Sequence, residues 1–196
     1  MLQIHTLPLG SYQTNTYIIH DETSSTCCVI DPGYEANTIL DKVESLGLTV
    51  EAVLLTHGHF DHVGALRDIA AETDCRVFIC AEDLSMPAAF TAGPIYYTDT
   101  YADGTQLHLA GLDISVLHTP GHTPGSVCLI CENAIFSGDT LFAGSCGRTD
   151  LPGGSWSSIR QSLNRLAAIE ADFSVFPGHG ESTTLAWEKK YNPYMR

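Results

Sequence analysis

The 196-residue chain carries a formal net charge of −14, because 23 Asp and Glu side chains face only nine Lys and Arg. Nucleic-acid binders need a basic surface that displaces counterions from phosphate, so we expect no nucleic-acid partner. The length suits one domain spanning residues 1–196, and no apolar run is long enough to cross a bilayer. The first residues lack the basic and apolar segments of a signal peptide, which predicts a cytoplasmic protein without membrane contact.

Apolar periodicity predicts strands and helices in the first half of the chain. The predicted elements are strands at 2–7, 15–20 and 26–31, a helix at about 35–46, a strand at 52–55 and a helix that ends near residue 72. The run at 52–55 is apolar throughout, which is typical of a strand buried on both faces.

The second half contains one long irregular segment among further strands and helices. Its predicted elements are a strand at 76–80, a loop with one helical turn at 84–104, antiparallel strands at 105–109, 112–118, 126–131 and 133–137, a helix at about 155–169, a strand at 173–176 and a helix at about 181–190. The apolar face expected on the helix at 155–169 comprises Trp156, Ile159, Leu163 and Leu166. Two groups of strands, each followed by helices, predict two packed sheets with helices outside.

Two of the seven cysteines, Cys128 and Cys131, form a C-x-x-C pattern that also occurs in zinc sites. They lie in a predicted strand, where positions three apart point to opposite faces. We therefore expect both to be small core residues and not metal ligands.

The strongest functional signal is the sequence His57-x-His59-x-Asp61-His62, which directly follows an apolar strand. Imidazole and carboxylate groups are ligands that zinc, iron and similar metals bind in proteins. Because residues two apart in an extended loop can turn to one side, His57 and His59 can share one ion. Asp61 and His62 lie where the chain enters a helix, and they can face a second ion.

Three later strand ends each carry one further ligand-type residue. His122 lies on a turn between two Pro-Gly pairs, His179 follows another Pro-Gly pair, and Asp139 follows Gly138, where the backbone can approach closely. A carboxylate between two histidine clusters can bridge two ions. The sequence therefore predicts a site for one or two metal ions.

These residues, in this order, resemble the metal-binding pattern of the metallo-β-lactamase superfamily over nearly the whole chain. The resemblance implies an α/β fold, a four-layer αββα sandwich with the metals at one edge of its two sheets. It implies two divalent metal ions, with zinc expected and iron or a mixed site as alternatives. The implied ligands are His57, His59 and His122 for the first ion and Asp61, His62 and His179 for the second, with Asp139 bridging both.

The segment from Gly138 to Arg148 resembles the glyoxalase II branch of that superfamily, the hydroxyacylglutathione hydrolases, and the ending resembles its short single-domain bacterial members. The resemblance implies that Arg148 helps to hold the substrate, and its planar guanidinium suits a carboxylate. An exposed ion pair within the loop is the alternative role. Full-length enzymes bind much of the glutathione with a helical domain after the last metal ligand, whereas only residues 180–196 follow His179 here. Glutathione is therefore open as the leaving group.

The predicted reaction is hydrolysis of an acidic thioester such as S-lactoylglutathione by hydroxide generated at the metals. Asp61 would orient the hydroxide and Asp139 would hold both ions, and the protein would act on this small molecule as a monomer or homodimer. Two alternatives stay open: a persulfide dioxygenase with one iron, which the segment 146–150 also resembles, and a lactonase or other small-ester hydrolase. A β-lactamase is disfavoured, because zinc enzymes of that branch typically carry Cys where Asp139 stands.

Overall fold

Two six-stranded sheets form the centre of the computed structural model, which describes every residue from 1 to 196. The first sheet contains, side by side and in chain order, β1 (Leu2–Leu9), β2 (Thr14–Asp21), β3 (Thr26–Ile30), β4 (Thr49–Leu54), β5 (Arg76–Cys80) and β6 (Asp99–Tyr101). Strands β1 to β3 pair antiparallel, whereas β3 to β6 pair parallel.

The second sheet has the spatial order β14-β13-β10-β9-β8-β7. Its strands are β7 (Gln106–Leu109), β8 (Leu112–His118), β9 (Val127–Cys131), β10 (Ala134–Gly138), β13 (Ser174–Pro177) and β14 (Thr183–Thr184), and a separate hairpin comprises β11 (Leu141–Phe142) and β12 (Ser145–Cys146). Strands β7 to β10 are antiparallel, as predicted, and β10 pairs parallel with β13.

Helices cover the outer faces of both sheets. They are α1 (Ala36–Ser45), α2 (Phe60–Val63), α3 (Leu66–Thr73), α4 (Ala88–Thr91), α5 (Trp156–Ala167) and α6 (Leu185–Tyr191), with a 3₁₀-helix at Ala81–Ser85. One apolar core lies between the sheets, a second lies between the first sheet and α1 and α3, and a third lies between the second sheet and α5 and α6. The predicted four-layer αββα sandwich is confirmed.

The predicted loop at 84–104 is wrong in one respect, because it contains strand β6. This strand pairs parallel with β5, with Phe78 opposite Asp99 and Cys80 opposite Tyr101. Tyr101 is buried, and its hydroxyl donates a hydrogen bond to the carbonyl of Leu55. Three residues are too few to show a periodicity, so the pairing with β5 decides the conformation.

Two predicted helices differ in their bounds. The helix expected to end near residue 72 is divided into α2 and α3, which Gly64 and Ala65 separate. The helix expected at 181–190 begins only at Leu185, because Thr183 and Thr184 first add a two-residue strand to β13. The Thr184 hydroxyl then caps α6 by accepting a hydrogen bond from the Trp187 amide.

The cysteines of the C-x-x-C pattern lie on opposite faces of β9, as predicted. Cys128 packs in the core beneath α5, whereas Cys131 packs in the core between the sheets. Both thiols are buried, and burial raises the pKa of Cys128 to about 11 and that of Cys131 to about 12. They therefore act as apolar core groups.

Helix α5 buries a narrower face than the spacing predicts. The Ser155 side chain begins the helix by accepting a hydrogen bond from the Ser158 amide. Ile159, Leu163 and Leu166 are then fully buried, but Trp156 is 48% exposed. The prediction for Trp156 is wrong, because the indole lies against the exposed ring of Tyr194 and not in the core with Ile159.

No helix of the structure combines the length and the apolar character that spanning a bilayer requires.

The Leu163→Ala variant should lower the free energy of unfolding by about 2–5 kcal/mol, because it leaves a cavity beneath the second sheet. The Trp156→Ala variant on the same helix should lower it by less than about 1 kcal/mol, since that side chain is largely solvated. Urea unfolding at fixed metal concentration measures both. Equal losses for the two variants would contradict this description of α5.

Candidate metal centre

All seven predicted ligand residues lie at one edge of the two sheets. His57 follows β4, His122 lies between β8 and β9, Asp139 follows β10, and His179 follows β13. The two sheets meet here, because the amide of Val127 donates to the carbonyl of Thr56, and Thr14 bridges to His179. Residues far apart in the chain thus converge, since β8, β10 and β13 all end at the same side of their sheet.

The first cluster consists of His57, His59 and His122. One ring nitrogen from each lies within 4.8 Å of the others, and all three side chains are buried. His59 Nδ1 and His122 Nε2 are 2.8 Å apart. Three imidazoles that converge in this way leave room for a fourth ligand on a tetrahedral ion.

The second cluster consists of Asp61, His62 and His179, whose ligand atoms also lie within 4.8 Å of one another. His179 Nε2 is 3.2 Å from Asp61 Oδ2 and 3.3 Å from His62 Nε2. Helix α2 contributes two of these residues, Asp61 and His62, and both are buried.

Asp139 lies between the two clusters. Its Oδ2 atom is 3.5 Å from Nε2 of His122 in the first cluster and 3.6 Å from Nε2 of His179 in the second. Its Oδ1 atom is 3.5 Å from His62 Nε2. Gly138 permits this approach, because it has a φ of +48° and a Cβ atom there would lie 2.3 Å from Thr56 Oγ1. The position is the one that a bridging carboxylate needs.

Hydrogen bonds to the opposite ring nitrogens orient four of the five imidazoles. His122 Nδ1 donates to the carbonyl of Arg148 at 2.8 Å, and His179 Nδ1 donates to the carbonyl of Tyr12 at 3.1 Å. His62 Nδ1 lies 2.9 Å from Asp31 Oδ2. His57 Nδ1 lies 3.1 Å from the Thr56 hydroxyl. In each ring Nε2 is thereby left to face the centre, which is the arrangement that metal-binding histidines require.

Electrostatics differ between the clusters. Burial, together with the neighbouring imidazoles, lowers the pKa of His57 well below its ordinary value and that of His59 to about 4. Burial opposes protonation of His62 as well, but Asp139 and Asp31 outweigh it and raise its pKa to about 9. His57 and His59 thus offer neutral imidazoles, whereas a cation at the second cluster must displace a proton from His62.

The residues fit a pair of metal ions. His57 Nε2 and Asp139 Oδ1 are buried, yet neither makes a hydrogen bond within the protein. Buried polar atoms without partners are costly unless another group satisfies them. Imidazole and carboxylate donors that converge without their own partners are suited to a divalent first-row metal.

A family model of the metallo-beta-lactamase superfamily matches residues 9–179. The chain belongs to the metallo-beta-lactamase superfamily. It is 32% identical to the hydroxyacylglutathione hydrolase GloC of Haemophilus influenzae, over 99% of this chain and 98% of that protein. It is 34% identical to the probable metallo-hydrolase YqgX of Bacillus subtilis, over 96% of this chain and 95% of that protein.

Solved structures of the superfamily share this fold. The BLEG-1 B3 metallo-beta-lactamase has a TM-score of 0.89 and 33% identity, and the match covers 100% of this chain and 99% of that chain. TTHA1623, solved in a di-iron-bound form, has a TM-score of 0.87 and 34% identity, and the match covers 97% of this chain and 99% of that chain. ETHE1 from Myxococcus xanthus has a TM-score of 0.85 and 30% identity, and the match covers 97% of this chain and 83% of that chain. The two His/Asp clusters fit the binuclear site of this superfamily, and the di-iron relative leaves the metal identity open.

A cavity of about 580 Å³ opens over the two clusters. His59, Asp61, His122, Asp139 and His179 line its base, and Arg148 is the only Lys or Arg that lines it. The apolar part of its wall comprises Tyr12, Phe60, Phe90, Phe142 and Leu151. Phe90 comes from α4, which gives the 84–104 segment a place in the site.

Arg148 lies at this cavity but is already paired. Its Nε and Nη2 atoms donate to the two carboxylate oxygens of Asp150 at 2.7 and 2.8 Å. The side chains are 61% and 68% exposed, so solvent screens the pair and a competing carboxylate can replace Asp150. The structure thus contains the loop ion pair, and its geometry leaves the substrate-binding role of Arg148 as a proposal.

Asp31, which belongs to none of the metal-binding motifs of the sequence, lies directly behind the clusters. Its Oδ1 atom accepts from the Thr56 amide at 2.7 Å, and its Oδ2 atom accepts from the Thr56 hydroxyl at 2.5 Å as well as contacting His62. Asp31 also converges with His57 and His62, but its two oxygens already accept from Thr56, so its contacts are those of a residue that orients His62. The available signal was an acidic residue at the end of β3, the strand that neighbours β4.

The Asp139→Asn variant should lose metal at both positions, because a neutral amide is a poor bridge between two cations. Metal content after dialysis against a weak chelator measures this, with Asp113→Asn as the control because that carboxylate is exposed and pairs with His108. Retention of both ions by Asp139→Asn would contradict the bridging position.

Proposed function

We propose that this protein is a metal-dependent hydrolase of acidic thioesters, with S-lactoylglutathione as the representative substrate. The observation that carries this proposal is the cavity whose base contains residues of both metal-ligand clusters and whose largely apolar wall carries Arg148 as its one Lys or Arg. The 32% identity to GloC, over nearly the full length of both proteins, supports a hydroxyacylglutathione as the substrate.

The proposed ligands are His57, His59 and His122 at the first position and Asp61, His62 and His179 at the second, with Asp139 between them. Ions bound there would supply Lewis acidity, which activates a water and polarises the thioester carbonyl. The metal identity stays open between zinc and iron, because the donor set suits both.

Asp61 is suited to orient the attacking water. Burial alone would raise its pKa, but the hydrogen bond with His179 and the charge of His62 hold that pKa well below its usual range. The side chain is therefore an ionised acceptor at neutral pH, and its Oδ2 atom also faces the Thr14 hydroxyl at 3.4 Å. An acceptor with restricted orientation can align a water without being a separate general base.

The wall of the cavity would position the rest of the substrate. Phe60, Phe90 and Phe142 can pack against the apolar parts of an acyl chain or thiol. Arg148 would bind a remote carboxylate through two parallel hydrogen bonds, in place of Asp150. A thiolate leaves readily, so the residues that position the carbonyl matter more than a proton donor for the leaving group.

The Arg148→Ala variant should raise KM for an acidic thioester about tenfold with a smaller change in kcat, because the contact is remote from the reacting carbonyl. The backbone carbonyl that accepts from His122 is unchanged by this substitution. The Asp150→Asn variant should lower KM a few-fold, because it removes the competing carboxylate. Arg76→Ala, which breaks a similar exposed pair with Asp99, is the control. An unchanged KM in Arg148→Ala would remove Arg148 from the substrate site.

The decisive experiment measures hydrolysis of S-lactoylglutathione by the metal-loaded protein with and without a strong chelator. Turnover that the chelator abolishes and added metal restores would support the thioester hydrolase. Absence of turnover in protein shown to contain metal would contradict it.

The same preparation should be tested with a β-lactam, a lactone, and glutathione persulfide with oxygen uptake as the readout. The 33% identity to the BLEG-1 B3 metallo-beta-lactamase makes the β-lactam a necessary comparison, although Asp139 disfavours that activity by the sequence criterion. A higher kcat/KM on any of these than on the thioester would reassign the substrate without changing the metal centre.

A further inference from the structure

The carboxylate of Asp83 is fully buried close to the metal centre, but it belongs to neither cluster of ligand-type residues. It lies in the 3₁₀-helix at Ala81–Ser85, which directly follows β5. No cation pairs with it, so its burial is favourable only because other groups donate hydrogen bonds to it. Burial raises the pKa of Asp83, and these donors oppose the rise.

The partners of Asp83 come from two separate loops. Its Oδ2 atom accepts from the amide of Gly58 at 2.8 Å and from the hydroxyl of Thr123 at 2.9 Å. Its Oδ1 atom accepts from the amide of Gly125 at 2.6 Å. One side chain therefore joins the loop after β4 to the loop between β8 and β9.

These loops carry the whole first cluster. Gly58 lies between His57 and His59, and Thr123 follows His122 directly. Gly125 admits the carboxylate closely, since a Cβ atom at that position would lie 2.7 Å from Asp83 Oδ1. The second cluster has anchors that do not involve Asp83, because Asp31 contacts His62 and the Tyr12 carbonyl orients His179. Asp31 also holds Thr56 beside His57, but it makes no contact with the Gly58 or Thr123 positions that Asp83 joins.

We propose that Asp83 is a positioning residue that holds the two histidine-bearing loops in register and thereby sets metal affinity at the first position selectively. This inference rests on the proposed ligand assignment and is independent of the substrate. Without Asp83 the three imidazoles must be brought together at the moment of binding, which lowers affinity, whereas the second position keeps its own anchors. Groups that orient metal ligands commonly change affinity by about 10–100-fold when removed.

The Asp83→Asn variant tests this with little change in shape. A carboxylate accepts at both oxygens, whereas an amide has one acceptor and one donor. Its NH₂ group must therefore face the amide N–H of Gly58 or of Gly125. Asp113→Asn is the matched control, because it makes the same substitution at an exposed carboxylate that pairs with His108.

Metal affinity should be measured in two variant backgrounds, each of which retains only one intact metal position. With His179→Ala, which impairs the second position, Asp83→Asn should weaken binding of zinc or cobalt at least tenfold. With His122→Ala, which impairs the first position, Asp83→Asn should change the affinity for the same metal less than twofold. Equal weakening in both backgrounds, or none in either, would overturn the proposal.

A second pair of variants serves if Asp83→Asn does not fold. Thr123→Val removes one of the three donors and should weaken the first position by a smaller factor, whereas Thr123→Ser retains the hydroxyl and should restore affinity. Equal affinities for Val and Ser at position 123 would overturn the proposal. Because every readout is metal binding, failure of the thioester assay leaves this test unaffected.

Discussion

The convergence of five imidazoles and two carboxylates in one buried volume is the constraint on which this structure depends. Each ring presents one nitrogen to the centre, so the opposite nitrogen needs a fixed partner if the ring is not to rotate. The Thr56 hydroxyl, Asp31 and the carbonyls of Arg148 and Tyr12 provide such partners for four of the rings. The close packing at Gly138 and the positions of the loops follow from this requirement.

The sandwich supplies the rigidity that such a site needs. Its three apolar cores fix both sheets and their outer helices, so the strand ends that carry the ligand-type residues have little freedom to move. The two clusters nevertheless differ in charge. In the first, burial keeps His57 and His59 neutral, whereas the second combines a carboxylate with His62, whose pKa Asp139 and Asp31 raise. A metal ion therefore meets different competition from protons at the two positions.

The edge of the sandwich carries the ligand-type residues, and the wall of the cavity above them comes from other segments. Relatives with TM-scores of 0.85 to 0.89 include a B3 metallo-beta-lactamase, a di-iron protein and ETHE1, so the fold alone does not select an activity. In this chain the wall comes largely from peripheral segments, with Phe90 on α4 and Phe142 on the β11–β12 hairpin. Arg148 is the one Lys or Arg of that wall, and the proposed acidic substrate rests on it.

The sequence by itself determined the layered fold and the identity of the ligand-type residues. His57, His59, Asp61 and His62 could be found because they are close together in the chain, and His122, Asp139 and His179 because Pro-Gly pairs or glycine mark their turns. Only the tertiary structure decided that Asp31 and Asp83 lie behind the clusters, because their partners are about 25 to 42 residues away in the chain. It also decided the short strand β6 and the exposure of Trp156. Local periodicity carries no information on which strand will pair with three isolated residues, or on which apolar residue of a helical turn will meet another surface side chain and not the core.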